Sequence, residues 1–372
     1  MALALPVAAI AVTSSRDEPT TAVAADLPKE NVGGQDCARR YVAGGDAVVK
    51  GTHASDSTRY SEQLINEHAK PSPAPGPWCL YNTSVDPTTS EKYFKDGTPS
   101  QQAAAWDLRP DLISLTLGRQ NSTIIDHIDK CYKNVKDHDF LDANVCALLV
   151  LNLPTHWTDL EKHLAQILNT YKIQMAGNPG LVVAVTGYFN PFPAATSAAT
   201  KIPEFCAKLV DTIATCTARW ILLPPALVTL DLVVKKLNTT IETVVKRFTE
   251  GSQGRFVFVN PYENFKGHCM KMEVAIKTTV YHPPSSTDKH DTDKDFGCGS
   301  DTWIASDGTT GFKLPFIYLT PAATGVLTTA TQTTKEMGFN PNEKGHDCIS
   351  DMIWEAVKHK LGVEEEPKEA CK

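Results

Sequence analysis

Residues 39–51 read Arg-Arg-Tyr-Val-Ala-Gly-Gly-Asp-Ala-Val-Val-Lys-Gly, and this stretch decides the fold that the sequence predicts. Its apolar part, Tyr41–Ala43, is typical of a buried strand, and the glycines around and after it favour a tight turn. In open α/β sheets, ligands bind in the crevice outside the carboxyl ends of the strands. Asp46 and Ala47 follow the predicted strand directly. They are therefore the first candidate site residues.

Further along the chain, near-continuous apolar runs alternate with longer segments of helical periodicity. The runs are Leu112–Leu117, Leu181–Thr186 and Arg255–Val259, and the helical segments are Trp157–Met175, Leu227–Phe248 and a last helix from about His346 to Leu361 that ends at Gly362. Such alternation is typical of a parallel sheet that is covered on both faces. The predicted fold is a three-layer α/β/α sandwich with a central parallel sheet.

The apolar residues of 227–248 recur at helical spacing and predict one stripe that packs into the core. They are Leu227, Leu230, Leu232, Val233, Leu237, Ile241, Val244 and Val245. Core packing explains this stripe better than a cofactor site does.

The chain divides into a leader, one large domain and a short tail. Residues 1–13 are apolar and are followed by Ser, Thr, Ala and Gly, which predicts a secretory signal or its remnant and a flexible leader over 1–36. The domain is expected over 37–363, with an irregular insertion at 267–335. Residues 364–372 are acidic and Lys-rich, and they should fray unless Cys371 ties them down.

Composition excludes some functions. The chain has 372 residues, 42% of them hydrophobic, a net charge of −7 and a pI near 5.9. It has no basic run interleaved with aromatic residues, so nucleic acid is not an expected partner. No stretch approaches the length of a transmembrane helix. Small-molecule or surface chemistry is expected, and the oligomeric state is left open.

Ten cysteines are spread along the chain rather than set in CxxC pairs. This distribution indicates disulfides rather than a zinc site, and we expect neither a metal nor a cofactor. Pairing of neighbours predicts three bonds: Cys131–Cys146, Cys206–Cys216 and Cys269–Cys298. The sequence does not assign Cys37, Cys79, Cys348 and Cys371.

Three Asn-x-Ser/Thr sequons, at Asn82, Asn121 and Asn238, agree with export. Together with the cysteines and the leader, they predict a secreted or extracytoplasmic protein.

The stretch 39–51 resembles the first block of the SGNH (GDSL) esterase and lipase family, Val-Ala-Leu-Gly-Asp-Ser. Gly45, Asp46 and Gly51 match this block, and Ala47 stands where the family has its nucleophilic serine. The resemblance extends from about Arg40 to Leu361 and implies an SGNH or flavodoxin-like sandwich. In the family the aspartate mainly secures the turn. An alanine methyl cannot attack a carbonyl carbon.

The second and third blocks supply oxyanion donors in this family. The third block, Gly-x-Asn-Asp, corresponds to residues 118–121, so the resemblance puts Gln120 at the oxyanion position and Asn121 beside it, after Gly118. The second block corresponds to residues 78–84, where the glycine position falls on Tyr81 or Asn82. A glutamine amide can donate to an oxyanion, although it is one methylene longer than asparagine.

The fifth block, Asp-x-x-His-Pro-Asn-x-x-Gly, corresponds to residues 337–345. Pro341, Asn342 and Gly345 match, whereas the base position is Asn340 and the aspartate position is Met337. Asparagine does not titrate near neutral pH and cannot accept the proton of a hydroxyl. His346 follows directly and is either a replacement base or a packing residue at the start of the last helix.

Segments of the insertion add to the resemblance. Gly267-His268-Cys269 and Trp303-Ile304 resemble elements of the family's secreted, disulfide-bonded branch.

Three functional hypotheses follow. The first is an SGNH ester-hydrolase-like protein that is inactive or weakly active and retains a cleft for a small-molecule ester, a lipid or a carbohydrate. The second is an active esterase or lipase with displaced residues, for example Ser84 or Ser122 with His346. The third is an interaction or wall-associated protein that uses segment 267–335.

Overall fold

The computed structural model describes residues 37–51, 56–69, 77–85, 88–95, 101–119, 121, 154–190, 223–266, 341, 343–366 and 371. The predicted leader 1–36, the insertion 267–335 and the three predicted disulfides lie outside these ranges. The division of the chain into domains therefore stays a prediction.

Five parallel strands form one sheet in the order β2-β1-β3-β4-β5. They are β1 (Arg39–Gly45), β2 (Trp78–Asn82), β3 (Leu112–Thr116), β4 (Val182–Thr186) and β5 (Phe256–Val259). The four runs that the sequence marked as strands are confirmed within two residues at either end. β2 was not predicted as a strand, because this edge strand carries Cys, Tyr and Asn among its five residues.

The helices connect the strands. They are α1 (Ala47–Lys50), α2 (Tyr60–Gln63), which continues into a π-helical turn (Leu64–Ala69), α3 (Ser90–Lys95), α4 (Gln101–Asp107), α5 (Pro154–Gly177), α6 (Leu223–Thr249) and α7 (Glu343–Val357). Short 3₁₀ turns cover Asp56–Thr58, Glu250–Ser252 and Lys358–Leu361. The last turn ends at Gly362, whose φ of 75° is the left-handed cap that the sequence predicted.

The helices pack in two groups. α5 contacts α3 and α6, whereas α7 contacts α2 and its π-helical turn. With the sheet between them, these groups make the predicted α/β/α sandwich. No helix in the described part of the chain is long and apolar enough to cross a membrane.

Side chains alternate between the two faces of the sheet. Val42, Ile113, Leu115, Val183 and Val185 share the face that we call the apolar face, towards α3, α5 and α6. The opposite face, which we call the polar face, lies towards α2 and α7. It carries Tyr41, Ser114, Thr116 and Thr186, all fully buried.

One prediction for α6 is wrong in part. Val233, Leu237 and Val244 of the predicted stripe are buried, but Leu232 is 45% exposed. Leu232 lies about 140° around the helix from the buried Leu237, which puts it on the exposed side.

Two disulfides join cysteines that the sequence left unassigned. Cys37–Cys79 ties the start of β1 to β2, with 5.5 Å between the Cα atoms. Cys348–Cys371 ties the chain's end to α7, with 4.4 Å between the Cα atoms. Cys371 is therefore covalently tethered to α7.

Candidate functional site

The turn after β1 requires glycine at its first position. Gly45 has a φ of 138°, and a Cβ there would lie 2.2 Å from the carbonyl oxygen of Thr116. Gly45 N–H donates to Gln101 Oε1 at 3.0 Å, and Gly45 C=O accepts from Val85 N–H at 3.1 Å. Both backbone groups of this glycine are therefore satisfied, and the turn is held between β3 and the residues after β2.

Asp46 has no solvent exposure and begins α1. Its Oδ1 accepts from Val48 N–H at 3.0 Å, which caps the helix, and its backbone N–H donates to Thr116 C=O at 3.1 Å. The carboxylate thus fixes the direction in which residue 47 is presented.

Tyr188 connects this carboxylate to the loop after β3. Its hydroxyl donates to Asp46 Oδ2 at 2.7 Å and accepts from Arg119 N–H at 3.1 Å. Burial, and then the negative charge of Asp46, raise the pKa of Tyr188 well above its usual value, so the hydroxyl stays protonated. Arg119 Nε lies 4.0 Å from Asp46 Oδ2 and balances its charge.

Asn238 in α6 holds Tyr188 in place. Its side-chain oxygen accepts from Tyr188 N–H, and its amide donates to Tyr188 C=O, both at 2.7 Å. Sequence reasoning missed Tyr188, which lies 142 positions from Asp46. The position of Tyr188 could have indicated its role, because it follows the end of β4 by two residues and so lies at the same carboxyl edge of the sheet as Asp46.

Ala47 is the first residue of α1, two positions beyond the end of β1, as predicted. It is 2% exposed and carries only a methyl group. The side chain that follows the Gly-Asp turn is therefore a buried methyl group, which has no atom that can attack a carbonyl carbon.

The segment after β2 leaves few free amides. Tyr81 and Asn82 lie inside β2, before the turn. Thr83 N–H donates to Ala43 C=O at 2.8 Å, and Ser84 N–H donates to Asn82 Oδ1 at 3.0 Å. With the bond from Val85 N–H to Gly45 C=O, three consecutive amides here already have acceptors. None of them is free to stabilise an oxyanion.

The loop after β3 starts at Gly118, whose φ is 136°. A Cβ there would lie 3.1 Å from Leu237 and 3.2 Å from Leu160. Asn121 Oδ1 accepts from the backbone N–H of Ser90, the first residue of α3, at 2.5 Å. Asn121 thus joins two loops at the carboxyl edge. Gln120 lies outside the described residues.

His346 lies inside α7 and has no solvent exposure. Its Nδ1 accepts from Tyr60 N–H at 3.4 Å, and the two rings stack with centroids 6.1 Å apart. Burial raises the pKa of Tyr60 to about 12. A histidine in this position supports the start of α2 and is closed to solvent. Asn340, Asn342, Met337 and Ser122 lie outside the described residues.

The structure brings Gly45, Asp46 and Ala47 together with Arg119 and Tyr188. The asparagines of two sequons are buried in the fold: Asn82 is 8% exposed and Asn238 is 4% exposed. A glycosyl group cannot be attached to an amide buried in this way, so these two triplets do not mark glycosylation of the folded protein. Among the described residues, no group of three His, Cys, Asp or Glu side chains is arranged to hold a metal ion.

No family model and no curated protein matches the chain. Among solved structures, it is similar to a phospholipase A1 from Streptomyces albidoflavus, with 15% identity over 83% of this chain and 94% of the other and a TM-score of 0.44. An extracellular lipase from Streptomyces rimosus shares 12% identity over 83% and 95%, with a TM-score of 0.45. A putative GDSL-like lipase from Parabacteroides merdae shares 13% over 62% and 80%, with a TM-score of 0.32.

The predicted α/β/α fold is confirmed by the parallel sheet and its helices. At these identities and TM-scores, the solved structures specify neither a family nor a reaction for this chain.

Proposed function

We propose that this chain is a secreted protein of the SGNH type that performs no serine-dependent ester hydrolysis and binds a small ester, lipid or carbohydrate at the carboxyl edge of its sheet. The observation that carries the proposal is Ala47. It stands at the start of α1 in an intact Gly-Asp turn, without a hydroxyl.

Acyl transfer needs an activated nucleophile, a base within hydrogen-bond reach and donors for the oxyanion. Ala47 supplies no nucleophile, and Asn340, at the base position, supplies no proton acceptor at neutral pH. In serine hydrolases the loss of one such group costs several orders of magnitude in rate. The engaged amides of residues 83–85 also argue against a full set of oxyanion donors.

The geometry gives little support to displaced residues. The hydroxyl of Ser84 donates to Asn82 Oδ1 at 2.5 Å, and His346 is wholly buried against Tyr60. A serine whose proton is held by an amide oxygen, and a histidine closed to solvent, do not form a nucleophile–base pair. The two disulfides support export, because such bonds persist in oxidising compartments.

The experiment combines a fluorophosphonate probe with hydrolysis of short p-nitrophenyl esters. The unmodified chain should take up no probe and show no turnover. Ala47→Ser alone should gain little rate, since Asn340 cannot deprotonate the new hydroxyl, and Ala47→Ser with Asn340→His should gain more. Turnover by the unmodified chain that disappears in Ser84→Ala, Ser122→Ala or His346→Gln would contradict the proposal in favour of the displaced-site enzyme.

Binding is tested separately by thermal unfolding with octanoate esters and with acetylated xylose oligomers. A ligand at about 100 times its Kd should stabilise the fold by about 2.7 kcal/mol. The same shift should appear in Ala47→Ser, which leaves the crevice open. If neither class of ligand shifts the melting temperature, the binding part of the proposal is wrong.

A further inference from the structure

Two polar side chains of α6 each bind both of the segments that follow the last two strands. We call residues 187–190 the β4 loop and residues 260–265 the β5 loop. The two side chains belong to Asp231 and Asn238, which are seven residues apart in α6. Seven residues make almost two turns, so both side chains lie on the same side of the helix.

The first connection, which we call the inner bridge, is made by Asn238. Its side chain bonds the backbone N–H and C=O of Tyr188 in the β4 loop, both at 2.7 Å. Its amide also donates to Asn260 Oδ1 in the β5 loop at 3.4 Å, and the same oxygen accepts from Tyr262 N–H at 3.2 Å. Gly187 permits this close approach, because a Cβ there would lie 2.7 Å from Asn238 Oδ1.

The second connection, which we call the outer bridge, is made by Asp231. Its Oδ1 accepts from the side-chain amide of Asn190 at 2.8 Å and from the hydroxyl of Tyr262, and its Oδ2 lies 2.8 Å from Lys235 Nζ. Burial, and then the bond to Asp231, raise the pKa of Tyr262 to about 12, so its hydroxyl remains a donor at neutral pH. The outer bridge thus joins the two loops again, two residues further along each of them.

An aromatic contact lies between the two loops. The rings of Phe189 and Phe265 stack with centroids 4.5 Å apart and 14° between their planes, and both residues are buried. The two loops therefore form one packed unit that α6 holds at two points. A loop held at one point can pivot about it, whereas two points fix its path and the direction of the Tyr188 ring.

We propose that Asp231 is a positioning residue for the candidate site: together with Asn238 it fixes the β4 loop, so that the hydroxyl of Tyr188 stays on Asp46. Asp231 does not touch the site and acts through Asn190, two residues from Tyr188. This role rests on the proposed function, because the proposed ligand crevice lies beside Asp46. The test uses no ligand, so its outcome is separate from that of the binding experiment.

The test measures hydrogen exchange of single backbone amides by NMR on the full chain. Arg119 N–H donates to the hydroxyl of Tyr188 at 3.1 Å, so its exchange reports whether this hydroxyl is in place. Val183 N–H, which donates to Arg255 C=O in the sheet at 2.9 Å, is the internal reference. In Asp231→Ala, exchange at Arg119 should rise at least about tenfold relative to Val183.

Two further variants separate the bridge from the charge. Glu242 lies on the same helix and pairs with Lys246 at 2.7 Å, four residues on, as Asp231 pairs with Lys235. Glu242→Ala therefore removes an equivalent ion pair and should leave Arg119 protected. Asp231→Asn keeps an oxygen that can accept from both loops and loses the charge, so exchange at Arg119 should stay within about twofold of the unmodified protein.

Three results would overturn the proposal. If Asp231→Ala speeds exchange at Tyr262 N–H but not at Arg119, Asp231 only fastens the surface. If Val183 accelerates by the same factor as Arg119, a loss of overall stability explains the change. If Glu242→Ala or Asp231→Asn exposes Arg119 as much as Asp231→Ala does, the ion pair and not the bridge is responsible.

Discussion

The two faces of one sheet differ in chemistry although the same strands make both. On the apolar face, Ile113, Leu115 and Val183 are fully buried hydrocarbon side chains, and one buried hydrogen bond joins the hydroxyls of Tyr93 in α3 and Tyr171 in α5 at 2.6 Å. On the polar face, Ser114 Oγ lies 2.7 Å from Tyr41 OH and 3.3 Å from Tyr60 OH. Both sets are fully buried. The apolar face is therefore stabilised mainly by packing. The polar face depends in part on hydrogen bonds, which are favourable only if each buried hydroxyl has a partner.

The polar face receives α7, which carries the buried His346. The apolar face backs the loop after β3 through Leu160 and Leu237 at Gly118. We infer that the sandwich is stabilised mainly from one side, while the other side keeps hydroxyl groups that specify how α2 and α7 are seated.

The largest expected effect comes from deleting volume on the apolar face. Leu115→Ala should lower the free energy of unfolding by about 2–5 kcal/mol, because the tightly packed layer cannot close the cavity. Its neighbour on the polar face is the matched comparison. Ser114→Ala should cost about 1–3 kcal/mol, the penalty for leaving buried hydroxyls without a partner. Urea unfolding of both variants measures the two values.

If Ser114→Ala costs as much as Leu115→Ala or more, the polar face contributes as much stability as the apolar one, and the comparison is wrong. If the free energy of unfolding falls with urea concentration at a similar slope in both variants, the substitutions change stability and not the compactness of the unfolded state.

Much of the fold was predictable because buried central strands and long amphipathic helices have strong sequence patterns. Four strands and three long helices were located in this way. β2 was not predicted, since an edge strand with polar residues lacks a continuous apolar run. The chemistry of the two faces could not be predicted either: Ser114 lies in a largely apolar run, and its partners Tyr41 and Tyr60 are 73 and 54 positions away.

The candidate site was predictable only where local chemistry defines it. Gly45 and Asp46 carry their signal in the turn itself, because one needs a positive φ and the other caps α1. Tyr188 and Asn238 act through contacts between distant segments, which no spacing reveals. The sequon at Asn238 looked like a surface feature, but its amide is a buried clamp on Tyr188.

A smaller effect should appear at alkaline pH. The folded pKa of Tyr60 is raised to about 12, chiefly by burial, above an unfolded value near 10. The stability that this neutral phenol contributes is complete below about pH 10 and is lost as pH rises towards about 12, at about 1.4 kcal/mol per pH unit. Tyr60→Phe removes this loss.

Urea unfolding between pH 8 and 11.5 tests this. At pH 8, Tyr60→Phe should be the less stable protein by roughly the value of one hydrogen bond, about 1 kcal/mol. The gap should narrow above pH 10, because the variant has no phenol to ionise at this position. Curves that stay parallel up to pH 11.5 would show that the ionisation of Tyr60 is not linked to folding.

The smallest expected effect is that of Leu232→Ala on the exposed side of α6, and Leu237→Ala on the buried side of the same helix is its comparison. Leu237 is 2% exposed and approaches Gly118 behind the apolar face, whereas Leu232, one and a half turns earlier, is 45% exposed. Leucine to alanine changes helix propensity equally at both positions, so the difference between the variants reports packing alone. Leu237→Ala should cost about 2–5 kcal/mol, and Leu232→Ala should stay within about 0.5 kcal/mol of the unmodified protein. Thermal or urea unfolding measures both. If Leu232→Ala cost more than about 1 kcal/mol, Leu232 would be buried in solution, and the single apolar stripe that the sequence predicted would be the better description of this helix.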